Sequence, residues 1–542
     1  MREVPARMNL RHRWIEETYL KHSAKFALSL VLLAPALVTA QSLSWAIHYD
    51  PKTYDPALVS DEASETVRAL TGGILVRVDR RTLQPVPQLA ENWTVSKDGR
   101  TITFHLRHNL RFSDGSPLTS SDALLTLRHI LDPKTASPKA SLFPAGTEVS
   151  APDPVTLVVR APSRIDSPDW AFDEISIEPG GRGTDEHVTA GAFFVAQHVQ
   201  GQYVELARNP HFWRTGDPRV ATIRLDILSN REQEVLRLLR GQYQFVDPVP
   251  AADVAGIEQR APGFVCDLGP SLDAEELFFN QSPHAPMPAF KRAWFENRDF
   301  RVAVSQVINR QDIARIAFDG HASPADGFYS PAGGAWRNRN LKAPGYNPDA
   351  AAQLLSHAGF VKRNGALYDA SGHPVEFSIV TNAANEPRAR ILNLLQQDLA
   401  KLGIRVSLVK LEFPALIERL TSTFDYDACV LGTTNATPSP GSTRDIWRSS
   451  SPDHVWNPQQ PKPATPWEAE LDRQLQLVDT GADFPSRKLA FDRIQQIIAD
   501  NQPIIYLVYR NRVTGISPHV TGVAPSVLAP PWWNIEELGV RP

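Results

Sequence analysis

The run NWTVSKDGRTITFHLRHNLRFSDGSPLTSSDALLTLRHILDP, residues 92–133, leaves little freedom in how it folds. Asp98-Gly99 is a tight-turn dipeptide. After it Ile102, Phe104 and Leu106 fall on one face of a strand, with Thr103, His105 and Arg107 on the other. A β-hairpin follows from that pattern. His105 and His108 point to opposite faces if the strand continues, so their spacing does not make a metal site. Asp114-Gly115 marks a second turn, and Thr119 with Asp122 reads as a capping box. Leu124, Leu127 and Leu131 then recur at helical spacing until Asp132-Pro133 ends the helix. The polar cluster SDGSPLTSSD therefore has structural work at every position, and no base or ligand set stands beside it in sequence.

Elsewhere strands and helices alternate without internal repeats, which predicts a mixed α/β architecture. Residues 155–228 are strand-rich, and a helix at about 231–240 stops at Gly241. Residues 300–318 read as two helices divided at Asn309, which caps the second with Asp312 in support. Residues 388–402 carry Ile391, Leu394, Leu395, Leu399 and Leu402 on one side, and Gly403 stops that helix. Ile404, Val406 and Leu408 alternate as a strand. A last long helix at about 485–500 leads through Pro503 into the apolar strand IIYLVY.

A chain of 542 residues suits two or three domains. Its net charge of -4 and lack of clustered Lys and Arg argue against nucleic acid as the main partner. Residues 26–40, FALSLVLLAPALVTA, follow Lys21, His22 and Lys25 and are too short for a comfortable membrane span, which takes about 20 residues. With Val38-Thr39-Ala40 as the recognition site, residues 1–40 are expected to be a signal peptide cleaved before Gln41, the alternative being an uncleaved anchor. The expected location is the periplasm or exterior. There the two cysteines, Cys266 and Cys429, either pair or stay as separate thiols in strand-like sequence.

Motifs for catalysis are absent from the sequence: no G-x-S-x-G, H-E-x-x-H, phosphate loop or dinucleotide fingerprint occurs. Gly180-Gly181-Arg182-Gly183 reads as a flexible loop, and none of the 15 His pairs with another at i,i+4 on an expected helix. Glu275-Glu276 and Glu536-Glu537 are adjacent, which favours different faces over acid–base cooperation. No cofactor or metal is expected. Trp447, Trp456, Trp467 and Trp532-Trp533, in Pro-rich, loop-like sequence, permit a pocket with stacking surfaces.

Residues 89–133 resemble the signature region of the dipeptide/oligopeptide-binding class (family 5) of extracellular solute-binding proteins, which serve bacterial ABC importers. The resemblance is carried by Leu89, Ala90, Glu91, Trp93, Asp98, Gly99, Phe104, Leu106, Arg107, Phe112, Asp114, Gly115, Pro117, Thr119 and Asp122. Later blocks extend it in order: Tyr54-Asp55-Pro56; Leu206 with Arg208-Asn209-Pro210 and Trp213; Arg301, Ala303, Ile308 and Arg310; Leu399, Gly403, Ile404 and Val406; and Pro503 with Ile504. It implies a two-lobed periplasmic-binding-protein-like fold (type II), with a smaller inserted domain in the first lobe. The expected division is lobe I at 41–77, 186–269 and 499–542, the inserted domain at 78–185, and lobe II at 270–498. A solute is closed between the lobes and passed, by a monomer, to the transmembrane subunits of an ABC permease, with no bond made or broken. The alternatives are a secreted hydrolase with a dispersed active site and a ligand sensor of the same fold.

The chain also departs from the family pattern. Thr189-Ala190-Gly191-Ala192-Phe193 replaces a "GTGPY"-like element, Asn309 replaces an Asp, and Gln244 stands where an Asp often does. Peptide-binding relatives commonly carry G-W-x-x-D where this chain has Gly432-Thr433-Thr434-Asn435-Ala436. The acid that pairs with a peptide's ammonium is thus missing there. Asp61, Glu62 and Asp445 are the candidate replacements, unless Thr433, Thr434 and Asn435 meet a neutral polar solute instead. By position in the family pattern the expected ligand-binding residues are Asp61, Glu62, Phe413, Thr433, Thr434, Asn435 and Tyr506.

Overall fold

The computed structural model describes residues 41–181, 188–434 and 437–541. The apolar run expected to be a signal peptide, the Arg182-Gly183 part of the Gly-rich loop, Asn435 and Ala436 lie outside the described residues. No helix among the described residues is long and apolar enough to cross a membrane.

The hairpin at Asp98-Gly99 forms as its sequence dictates. Gly99 turns with φ +68°, a backbone region that costs a residue with a Cβ. Ala90–Val95 and Thr101–Leu106 pair antiparallel across it. Ile102, Phe104 and Leu106 are buried, and the sheet is completed by Thr156–Arg160 and then Glu148–Asp153. The helix Ser120–Leu131 begins with the Thr119/Asp122 capping box, in which the Thr119 N–H donates to the Asp122 carboxylate at 2.8 Å. Its Leu127 and Ile130 pack with Phe104, Phe112, Leu157 and Val159 in one core. In the preceding turn the Asp114 carboxylate accepts from the Ser116 N–H (2.8 Å) and hydroxyl (2.6 Å), so this stretch is a turn and a cap.

A second sheet runs in the order Ser42–Ile47, Thr222–Ile227, Tyr203–Arg208, Phe193–Val199, the first pair parallel and the others antiparallel. Its core of Trp45, Phe193, Leu206, Ile223 and Leu225 takes in Ala63, Val67 and Leu70 from the helix Glu62–Thr71. Because those apolar positions share one stripe, the opposite stripe, with Glu62, Glu65, Thr66 and Ala69, is left to line a cavity.

The largest sheet is ordered Phe245–Val246, Ile504–Ile516, Val265–Phe279, Ala428–Thr433, Glu376–Asn382, Arg405–Leu411, with Ala322–Pro324 beside Ile504–Ile516. The helices Arg298–Val307 and Glu386–Lys401 cover one face. The hairpin of Pro466–Thr480 and Phe484–Asn501 covers the other, with Trp447 and Trp456. Asn309 caps the short helix after it, accepting from the Gln311 and Asp312 N–H groups. Arg301, fully buried, donates to the carbonyls of Asn501 and Phe295 (3.0 and 2.7 Å), tying that helix to the end of the last one.

Two strands of this sheet run on into the other body. Val508 and Leu507 pack with the large core, whereas Val513 packs with Ala46, Leu238 and Val246. The ladder between Val265–Phe279 and Ile504–Ile516 breaks register on both sides of Pro270, which lacks the N–H a ladder needs. Cys266 and Cys429 are separate free thiols, Cys429 buried and Cys266 partly exposed.

Candidate functional site

A cavity of about 320 Å³ opens beside the helix Glu62–Thr71. That helix supplies Glu62, Glu65, Thr66, Arg68 and Ala69, and the chain after it adds Arg77 and Arg80. Asp173 ends the short helix Pro168–Asp173, Asp247 follows the strand Phe245–Val246, and Arg512 comes from Ile504–Ile516. Leu528–Pro530, Trp532 and Trp533 close it, with Trp532 stacked on Trp45 at 4.8 Å between ring centres.

The arginines are already engaged. Arg68 grips both oxygens of Glu65 at 2.7 and 2.5 Å, and Arg80 reaches Asp173 at 2.5 Å. Arg512 pairs with Asp247, and Arg77 with Glu536 behind the wall. Burial opposes ionisation of Glu65 and Glu536, but the Arg68 and Arg77 guanidinium groups outweigh it and hold both carboxyls below their ordinary range. At Asp247 burial wins over Arg512 and the carboxyl sits above its ordinary range. Arg80 also lies over the Trp170 ring at 4.3 Å.

On Ile504–Ile516, Arg510 stands two residues from Arg512 and so on the same face. It points at the large sheet, donating to the Thr434 hydroxyl at 3.2 Å and approaching Asp273 at 3.3 Å. Behind it Glu275 is buried and accepts from Arg388 at 2.7 Å. Glu276, on the other face of the strand, meets Thr433 and Tyr506. Adjacent acids on a strand do separate to opposite faces here, as their spacing requires. Burial drives the Glu276 carboxyl up to about 7, and the neighbouring Glu275 charge adds to that rise.

The raised value has a consequence for stability. With an ordinary value of 4.5, Glu276 in the folded state stays protonated where the unfolded chain has ionised. Its favourable contribution is complete below pH 4.5 and is lost as pH rises through about 7. Glu276→Gln, neutral throughout, gains on the wild type by about 2–3 kcal/mol between pH 4.5 and 8. Urea unfolding at the two pH values reads the gap, and an equal gap at both would refute the assignment.

The expected site residues separate into three groups. Glu62 lines the cavity, while Asp61 beside it spends its carboxylate on the helix cap, accepting from the Ser64 N–H (3.0 Å) and hydroxyl (2.8 Å). Thr433 and Tyr506 meet Glu276 on one face of the sheet, and Thr434 meets Arg510. Phe413 is exposed at the start of the helix Phe413–Glu418 and does not line the cavity, and Asn435 is outside the described residues. Of the tryptophans, Trp447 and Trp456 are core, with Trp467 packed against them, and Trp532 and Trp533 face the cavity. The sequence reading missed Arg68, Arg77, Arg80, Arg512, Asp173 and Asp247. Arg77-x-x-Arg80 and Arg510-x-Arg512 were visible signals, but their acids lie far away in the chain.

The family model "Bacterial extracellular solute-binding proteins, family 5 Middle" matches residues 84–454. A probable ABC transporter-binding protein of Deinococcus radiodurans is 24% identical over 510 residues, covering 84% of this chain and 85% of its own. The oligopeptide-binding protein AppA of Bacillus subtilis is 24% identical over 498 residues, 87% of each chain. The solved structure of the ABC transporter substrate-binding protein CtaP from Listeria monocytogenes superposes with a TM-score of 0.78 at 19% identity, covering 93% of this chain and 100% of that one. The fold is the two-lobed, type II periplasmic-binding-protein architecture. The chain belongs to the bacterial extracellular solute-binding proteins, family 5.

Proposed function

We propose that this chain is the substrate-binding protein of an ABC importer, closing a peptide or similar small solute between its lobes and delivering it to the permease in the membrane. The observation that carries the reading is the cavity itself. Charged and indole side chains wall about 320 Å³, and the strand that contributes Arg512 to it also sends Arg510 to the Thr434 hydroxyl. One strand thereby presents side chains to both lobes, which is what capture by hinge closure asks of a binding site.

Within this reading Glu62, Thr433, Thr434 and Tyr506 contact or border the solute, and Asp61 fixes the helix that carries Glu62. The lobes divide as the resemblance implies, with 78–185 inserted into the first lobe. The protein works outside the cytoplasm after cleavage near Ala40. Likeness to a protein named for oligopeptide binding supports a peptide as the first solute to test. Protein isolated from its native periplasm and denatured should release a small solute detectable by mass spectrometry. Saturable thermal stabilisation by that compound, without turnover, is the expected result. Hydrolysis of a peptide or ester panel, abolished by one substitution, would overturn the reading.

A further inference from the structure

Resting on the solute-binding reading above, we propose that the cavity selects a solute with one net positive charge, whose ammonium or guanidinium group is held by the Glu62 carboxylate. Four arginines and four carboxylates line the wall. Arg68, Arg80 and Arg512 are paired with Glu65, Asp173 and Asp247, and Arg77 is paired with Glu536 behind the wall. Among the described residues, Glu62 is the one lining charge left over. Its side chain is 63% exposed, and the nearest basic side chain, His48, lies 3.9 Å away through Nδ1 while its Nε2 is 3.5 Å from Glu234.

The ledger discriminates among solutes. An anion that takes an arginine from its own carboxylate leaves that acid buried and alone, which is the costly way to break an ion pair, and the spare nitrogens Arg80 Nη1 and Arg512 Nε are themselves buried. A neutral solute that fills the cavity strips water from Glu62 and returns nothing to it. A cation removes both penalties. Trp532 and Trp533 in the same wall add π-electron surface, which attracts cations and not anions. The volume suits a small solute of the size ordinary ligand pockets accept.

The test uses the purified chain and a charge series on one frame: tri-alanine amide, tri-alanine, N-acetyl-tri-alanine amide and N-acetyl-tri-alanine. Butylamine and methylguanidine serve as singly charged non-peptide cations, and citrate and glucose as an anion and a neutral solute. Calorimetry should show the tightest binding for a cationic probe and the weakest for the anions. Glu62→Gln should weaken that cationic probe roughly ten- to hundred-fold, as loss of a charge-assisted hydrogen bond does. Glu62→Asp should recover part of the affinity, and the melting temperature without probe should be unchanged in both variants. Equal or tighter binding of the N-acetylated acid or citrate, or a cation indifferent to Glu62→Gln, overturns the charge assignment and leaves solute binding intact. Failure of every probe to bind counts instead against the solute-binding reading.

Discussion

Glu468→Ala is expected to cost the large lobe about 3–5 kcal/mol, the penalty typical of removing one partner from a buried charged network. Glu468 is buried at the third position of the helix Pro466–Thr480 and is bonded from both sides. One oxygen lies 3.3 Å from His454 Nε2 and accepts from Trp456 Nε1 at 3.1 Å and Gln460 Nε2 at 2.9 Å. The other takes the Thr465 N–H at 2.9 Å and hydroxyl at 2.8 Å. Burial opposes its ionisation, but His454 and these donors prevail and hold the carboxyl down at about 2. The loss of the acceptor leaves the Trp456 indole N–H and the buried Nε2 of His454 without a partner beside Trp447 and Trp467, while His454 Nδ1 keeps the Ile446 carbonyl at 3.0 Å. Urea unfolding at pH 7 measures the cost, and a loss under about 1 kcal/mol would refute the role. The sign with pH is the reverse of that at Glu276. The stabilisation is present above pH 4.5 and lost as pH falls toward 2, so Glu468→Gln loses its disadvantage in acid.

Asp166→Ala should leave stability nearly unchanged and shift the molecule toward an opened arrangement. Asp166 follows the small sheet and reaches across to the helical hairpin of the large lobe. Its carboxylate accepts from the Ser439 hydroxyl at 2.6 Å and pairs with Arg487, and the Ser167 and Ser439 hydroxyls lie 2.8 Å apart. Arg164 donates to the Ala482 carbonyl at 3.1 Å. Gly441 is what lets the carboxylate in, since a Cβ there would collide with Asp166 Oδ2. On the proposed division, which puts Asp166 in the inserted domain and Ser439, Ala482 and Arg487 in the second lobe, these contacts join parts that separate when a solute enters. Small-angle scattering of the solute-free variant should report a larger radius of gyration, and bound solute should leave about ten-fold faster, the effect of losing roughly 1.4 kcal/mol of closed-state preference. Gly441→Ala should move both readings the same way. A scattering curve identical to the wild type would show that these contacts do not hold the lobes.

What the sequence disclosed follows the range of the interactions. The hairpin at Asp98-Gly99, the Thr119 cap and the leucine stripe are settled within a few residues, and all three form as read. The neighbours of the strand Ile504–Ile516 were not legible, because its partners at 245–246 and 265–278 are brought to it only by the completed fold. The same holds for the cavity. Glu62 and Trp532-Trp533 were visible as chemistry without a place. Four paired arginines went unread because charge compensation between Arg77 and Glu536, or Arg512 and Asp247, leaves no local pattern. Trp447 and Trp456 looked like stacking surfaces in loops and instead fill the core, since the Pro-rich segments that carry them are wrapped onto the large sheet.

The strand Ile504–Ile516 sits inside the large sheet rather than at its margin, between Phe245–Val246 and Val265–Phe279. During synthesis both neighbours are made long before it, and each waits with an unpaired edge until the last of these strands leaves the ribosome. Such distant pairings form slowly, and open edges are what chaperones shield from aggregation. Until that strand emerges, the strands Phe245–Val246 and Val265–Phe279 lack the partner that lies between them in the finished sheet.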